Sequence, residues 1–203
     1  MNRSSHSAGF TLIEVFVSIA VFTIIMVAVG LFEVNVFSYQ RTASSSFQTV
    51  QDAEVILKTI SKDIRGASPG SDGSYAIQTV ATNTLMFFAD VNSDGLKERI
   101  RYTLMGSSLY RTLLTPTGSP LAYTGTESTS TILTDVANGT SSVFTYYSGS
   151  YTGSTTGILA QPVTPTAVRS IQITLSLDPN TKDTQPARTY STEVTMRNLK
   201  DNL

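Results

Sequence analysis

The sequence predicts an α+β fold: a long N-terminal α-helix, transmembrane over its first half, packed on an antiparallel β-sheet domain. Three observations point to it. The 203-residue chain opens with a nearly unbroken apolar block over residues 10–32. Apolar side chains at steps of three and four then continue as far as Ile64, which marks one face of a helix. From Tyr75 the period falls to two, with turn signals between short segments and no helical pattern among them.

Composition narrows the function classes. Hydrophobic residues make up 40% of the chain and charged residues only 14%, which is low for an ordinary soluble surface. The formal net charge is −1, so no basic stripe suggests a nucleic-acid partner. There is no cysteine, which excludes disulfides, thiol nucleophiles and zinc–thiolate sites. The single histidine is His6, so everything after it lacks the commonest general base.

The apolar block is interrupted by Thr11, Glu14, Ser18, Thr23 and Gly30. As a helix it spans about 34 Å, close to the roughly 30 Å of a bilayer core. Before it lie short polar residues with Arg3 and no acid, which keeps the N-terminus cytoplasmic and sends the rest outward. A plain signal anchor, or a signal peptide cut near Ala28-Val29-Gly30, leaves Glu14 unexplained. A carboxylate inside lipid costs about 2.5–3.5 kcal/mol and normally has a partner. Cleavage between Gly9 and Phe10 would supply one. The new α-amino group lies four residues from Glu14, and among packed helices it can neutralise a neighbour's carboxylate.

The string "GFTLIEVFVSIAVF", from Gly9 to Phe22, resembles the N-terminal signature of type IV pilins and type II secretion pseudopilins. The resemblance implies that residues 1–9 are a leader removed by a prepilin peptidase. Gly9 then matches the last leader residue, Phe10 the N-methylated first residue, and Glu14 the glutamate that guides filament assembly. It further implies a type IV pilin-like fold and a single-pass precursor in the bacterial inner membrane, with its C-terminal domain outside the cytoplasm. The implied partners are the peptidase/methylase, other pilin or pseudopilin subunits, the inner-membrane assembly machinery, and lipid before assembly. Main pilins often bend this helix at a proline; here Gly30 lies near that place.

The helix pattern does not stop at Phe32. Phe47, Val50, Ala53, Leu57, Ile60 and Ile64 form one face, and Gln51, Asp52, Lys58, Lys62 and Asp63 read as the wet face. Gly66 and Ser68-Pro69-Gly70 carry stop and turn signals. One helix is therefore expected over about Phe10 to Arg65, with 10–32 as membrane or filament core and 33–66 as a spine. "KTISKDIRGA" resembles the end of that spine in larger minor pseudopilins.

Residues 67–203 read as the exported β-rich domain. Alternation predicts strands over Tyr75–Val80, Thr84–Asp90, Glu98–Leu104, Leu109–Leu114, Val168–Leu177 and Thr189–Arg197. Between Thr112 and Val168 the chain turns rich in Ser, Thr, Gly and Tyr. This reads as a long surface excursion with one or two edge strands, at Ile132–Val136 and Val143–Tyr147. A competing reading makes it a contact surface for another subunit, with Tyr146, Tyr147 and Tyr151 as anchors. The end, with Arg197-Asn198, resembles minor pilins and pseudopilins of the J-type and W-type classes.

"DVNSDGLKER" starts like a calcium loop, with Asp90, Asn92 and Asp94 at alternate positions before Gly95. Glu98 could add a ligand. The twelfth position is Arg101 where an EF-hand has glutamate, and the loop joins strands, so an Asp-Gly hairpin turn is the preferred reading and no cofactor is expected. No catalytic constellation stands out, and without histidine in the mature chain a Ser-His-acid triad cannot form. The Asn138-Gly139-Thr140 sequon reads as incidental.

The expectation is a non-enzymatic minor pilin or minor pseudopilin, a low-copy subunit that helps initiate or cap a type IV pilus or type II secretion pseudopilus. The reading of another class is an independently anchored or secreted β-domain adhesin or glycan-binding module, supported by the Ser/Thr/Tyr-rich half.

Overall fold

The computed structural model describes residues 11–153, 156–178 and 187–196, and the backbone alone of residues 34–50. Helix α1 runs Leu12–Arg65. The strands are β1 Ile77–Val80, β2 Thr84–Ala89, β3 Glu98–Met105, β4 Ser108–Leu114, β5 Ser128–Leu133, β6 Phe144–Tyr147, β7 Ser170–Leu177 and β8 Arg188–Thr195. The fold is the α+β arrangement of an N-terminal helix and antiparallel sheet. The chain divides within α1 into two units, Met1–Ser46 and Phe47–Leu203.

The helix ends where glycine and proline stop it. Gly66 donates its amide to the carbonyls of Lys62 and Asp63, closing the last turn, and Lys62 and Arg65 place cations at the negative end of the helix dipole. Upstream, Ala53, Leu57, Ile60 and Ile64 are buried, so the predicted stripe is the packed face. Phe47 and Val50 lie among residues whose side chains are outside the description.

Where one sheet was expected, the described residues form two. A five-stranded sheet has the order β1-β2-β3-β4-β5, and a three-stranded sheet β6-β7-β8. They meet at a seam: Phe144 N–H donates to Thr82 O at 2.9 Å, and the Tyr146 hydroxyl donates to Ala81 O at 2.7 Å. Residues just after β5 also join β7, through the Val136–Leu177 bridge. Both sheets contribute to one core with the helix. Leu85, Phe87, Ile100, Tyr102 and Leu109 come from the first sheet, and Ile171, Ile173, Leu175 and Val194 from the second. Each large side chain so buried contributes roughly 1.5–3 kcal/mol.

The excursion after β4 is less superficial than its composition suggests. Tyr123 packs on Phe88 with ring centroids 4.8 Å apart. Its hydroxyl donates to Lys97 O at 2.5 Å and accepts from Ser71 N–H at 3.0 Å. Glu127 pairs with Arg99 at 3.0 Å and also with Arg101. The excursion therefore covers part of the outer sheet face, which is why Phe88, on the face opposite Phe87, is fully buried.

Asn138 is structural. Its amide donates to Thr174 O at 2.9 Å and accepts from Ser176 N–H at 2.8 Å, imitating a neighbouring strand beside β7. The residue is only 6% exposed. Asn138→Ala is expected to leave two part-buried backbone groups, Thr174 O and Ser176 N–H, without this partner and to lower stability by about 1–2 kcal/mol, read in a denaturant melt of the detergent-solubilised chain.

Candidate functional site

The N-terminal start of α1 is built by two side chains. Thr11 precedes the first helical residue. Its N–H donates to Glu14 Oε2 at 3.0 Å, its hydroxyl donates to the same oxygen at 3.0 Å, and Glu14 N–H donates back to Thr11 Oγ1 at 3.4 Å. This reciprocal capping box satisfies two amides that a helix start leaves open. Glu14 also stands at the positive end of the helix dipole, where a carboxylate is favoured. The sequence reading missed this role, although Thr11-Leu12-Ile13-Glu14 has the spacing of the motif.

Glu14 is where the sequence placed the assembly residue, and its side chain is exposed. Gly9 and Phe10, the expected cleavage and methylation positions, lie outside the described residues.

Beyond the cap, Leu12–Glu33 forms 22 residues long and apolar enough to cross a membrane. Its polar side chains are absorbed by the helix itself. Ser18 Oγ donates to Glu14 O at 2.7 Å, and Thr23 Oγ1 to Ile19 O at 2.8 Å. Hydroxyls matched in this way add little cost in lipid, where every polar group needs an internal partner. The apolar side chains are outward over the whole span, with Leu12 at 88% and Phe16 at 70% exposure. A surface of that kind is stable only in lipid or against other apolar helices.

In the second unit the structure corrects two assignments. Asp63, read as part of the wet face, is buried. The Tyr102 hydroxyl donates to Asp63 Oδ2 at 2.6 Å, and Arg111 donates to the same oxygen from Nε at 3.1 Å and Nη2 at 2.8 Å. Burial, joined by the Asp63 carboxylate, lifts the Tyr102 phenol well above its ordinary pKa, so it remains a donor. The group ties α1 to β3 and β4. Periodicity alone could not reveal it, because the partners lie 39 and 48 residues away.

The second concerns the competing reading of the tyrosines as anchors, which was not the preferred one. Tyr146 and Tyr147 are 1% and 5% exposed. Tyr146 is held at the sheet seam, and the Tyr147 hydroxyl donates to Gln172 Oε1 at 2.7 Å. Tyr151 packs against Tyr147 in a tilted arrangement, with centroids 4.0 Å apart. Two of the three therefore serve the fold of their own domain. Arg197-Asn198 lies outside the described residues.

Residues 4–30 match the family described as a prokaryotic N-terminal methylation motif. No curated protein matches the chain. The match covers the capped helix start, the greater part of the apolar span, and the positions of Gly9 and Phe10. The chain thus joins a prepilin-type N-terminus, as type IV pilin-like proteins have, to an α+β fold.

Proposed function

We propose that the chain is a minor pilin or minor pseudopilin, a low-copy structural subunit and not an enzyme. It helps to initiate or cap a type IV pilus or a type II secretion pseudopilus. The methylation motif over residues 4–30, overlapping the apolar span Leu12–Glu33 whose side chains are exposed, carries the reading. A prepilin peptidase cuts after Gly9 and the new N-terminus at Phe10 is methylated. Before assembly the precursor sits in the inner membrane with residues 67–203 outside the cytoplasm. Helices of related subunits then pack side by side, and Glu14 meets a neighbour's amino terminus. The larger, J-type or W-type character rests on the resemblance of the spine end and the C-terminal end.

N-terminal sequencing and intact mass of the protein purified from its native membrane test this. The expected chain begins at Phe10 and carries one N-methyl group, a net gain of one CH2 in mass. A chain beginning at Met1, or after Gly30, contradicts the proposal and returns weight to an independently anchored or secreted adhesive domain.

A further inference from the structure

Among the described residues, the second sheet ends in an open strand. β8 pairs with β7 in unbroken register, from Arg188 opposite Leu177 to Thr195 opposite Ser170, and no strand follows it in the order β6-β7-β8. Met196 N–H donates to Arg169 O at 3.2 Å, which fixes the phase of this antiparallel ladder. Even-numbered residues of β8 bond back to β7, so the N–H and C=O groups of Thr189, Ser191, Glu193 and Thr195 point to the open side. Among the described residues no backbone group meets them there.

Open edges are ordinarily blunted, because they invite pairing with another chain. The other edges of this domain are blunted. β1 has four residues, and its register shifts between Ile77 and Thr79. β5 joins β4 across a register shift between Leu109 and Tyr110. β6 is covered through the bridge of Tyr147 to Ile158, and beyond the end of β6 Asn138 supplies β7 with the missing partners. β8 runs for eight residues with no proline and no bulge.

A groove of about 300 Å³ separates β8 from α1, lined by Glu54, Leu57, Lys58, Ser61, Arg65 and Thr192. Its helical wall is basic. Lys58, Lys62 and Arg65 follow at steps of four and three, the spacing of one stripe. Lys58 meets the exposed Glu54 at 3.4 Å. Lys62 and Arg65 are exposed and enter no ion pair among the described residues. On β8, Thr192 lines the groove and Val194 is buried, so alternation turns Arg188 to that side and Glu193 to the opposite face.

We propose that the β8 edge takes an extended segment of another protein as an added strand, with acidic side chains at the alternate positions that face α1. Pairing with the backbone of Thr189, Ser191, Glu193 and Thr195 supplies the attachment. Lys62, Arg65 and Arg188 select the acids, because charge across an interface sets partner choice more than raw affinity. A second copy of β8 is a poorer match. Continuing the sheet with the same face inward, it offers Arg188, Tyr190, Thr192 and Val194 to the α1 side, and no acid.

This surface does not depend on the proposed function and is tested separately, on the full chain in detergent. The probes are two short blocked peptides with a fluorophore for anisotropy, one alternating threonine with glutamate and the other threonine with lysine. The glutamate peptide is expected to bind saturably and at least about tenfold more tightly than the lysine peptide, since like charges set against each other are penalised. It should also slow hydrogen exchange at the amides of Thr189, Ser191 and Glu193. Ser191→Pro removes an outward N–H and leaves the bonds to β7, so it should abolish binding in a chain that melts normally. Lys62→Gln combined with Arg65→Gln, both at exposed positions, should erase the preference for glutamate. The proposal is overturned by absence of binding at millimolar peptide, by equal binding of the two peptides, or by binding that leaves those amides unprotected. Amides already protected without peptide overturn it too, because a second copy or the chain's own residues would then hold the edge.

Discussion

Glu14→Gln, Glu14→Ala and Glu14→Val are all expected to leave cleavage after Gly9 intact and to abolish incorporation into the filament. The three variants separate two roles of one carboxylate. Glutamine can still close the capping box with Thr11, because N3 accepts Glu or Gln. Alanine and valine cannot, and lose about 0.5–2 kcal/mol of helix-start stability. Only the native residue carries the charge. If a neighbour's amino terminus neutralises Glu14 in an apolar helix stack, the pair is worth on the order of the 2.5–3.5 kcal/mol that an unpaired charge costs there. Incorporation should then fall by roughly a hundredfold, as much with glutamine as with alanine. Immunoblots of sheared filaments against membrane fractions measure it. Normal incorporation of Glu14→Gln would leave only the cap as the residue's purpose and remove the ion-pair mechanism.

Asp63→Ala is expected to destabilise the β-rich unit by about 3–5 kcal/mol, because it leaves Arg111 partly buried without its carboxylate and strips the Tyr102 hydroxyl of its acceptor. Domains of this size are stable by about 5–15 kcal/mol, so the loss is a large part of the total. Denaturant melts of the detergent-solubilised chain read it. The triple variant Asp63→Leu, Tyr102→Phe, Arg111→Leu tests the cause, since it removes all the polar groups together. It should recover much of the loss, as apolar replacement of a buried ionic group often does. A triple variant no more stable than Asp63→Ala would show that packing at this place, and not the orphaned charge, sets the cost.

The local elements could be read from the chain. Gly66 and Ser68-Pro69-Gly70 marked the end of α1, and the alternation of Ile171, Ile173, Leu175 and Leu177 marked β7, because these are short-range consequences of backbone preference and burial period. The capping role of Glu14 was also legible, in the spacing Thr11-x-x-Glu14, and was passed over because the carboxylate was weighed only as a charge in lipid. Tyr146 illustrates the opposite limit. A tyrosine among serines, threonines and glycines has the composition of an exposed anchor, yet its hydroxyl is matched by Ala81 O across the seam. Nothing in its neighbourhood along the chain encodes that partner.

What the sequence by itself determined was the apolar span with its acid at Glu14, the length of the helix and the places of the strands other than β5, which was expected at Ile132–Val136 and lies at Ser128–Leu133. Each depends on contacts within a few residues. The tertiary structure alone decided that the strands divide into two sheets, that Asp63 lies inside with Arg111, and that β8 ends the second sheet. Those outcomes depend on which distant strand arrives beside which. A residue's burial is then set by a partner dozens of positions away, and no local periodicity carries that information.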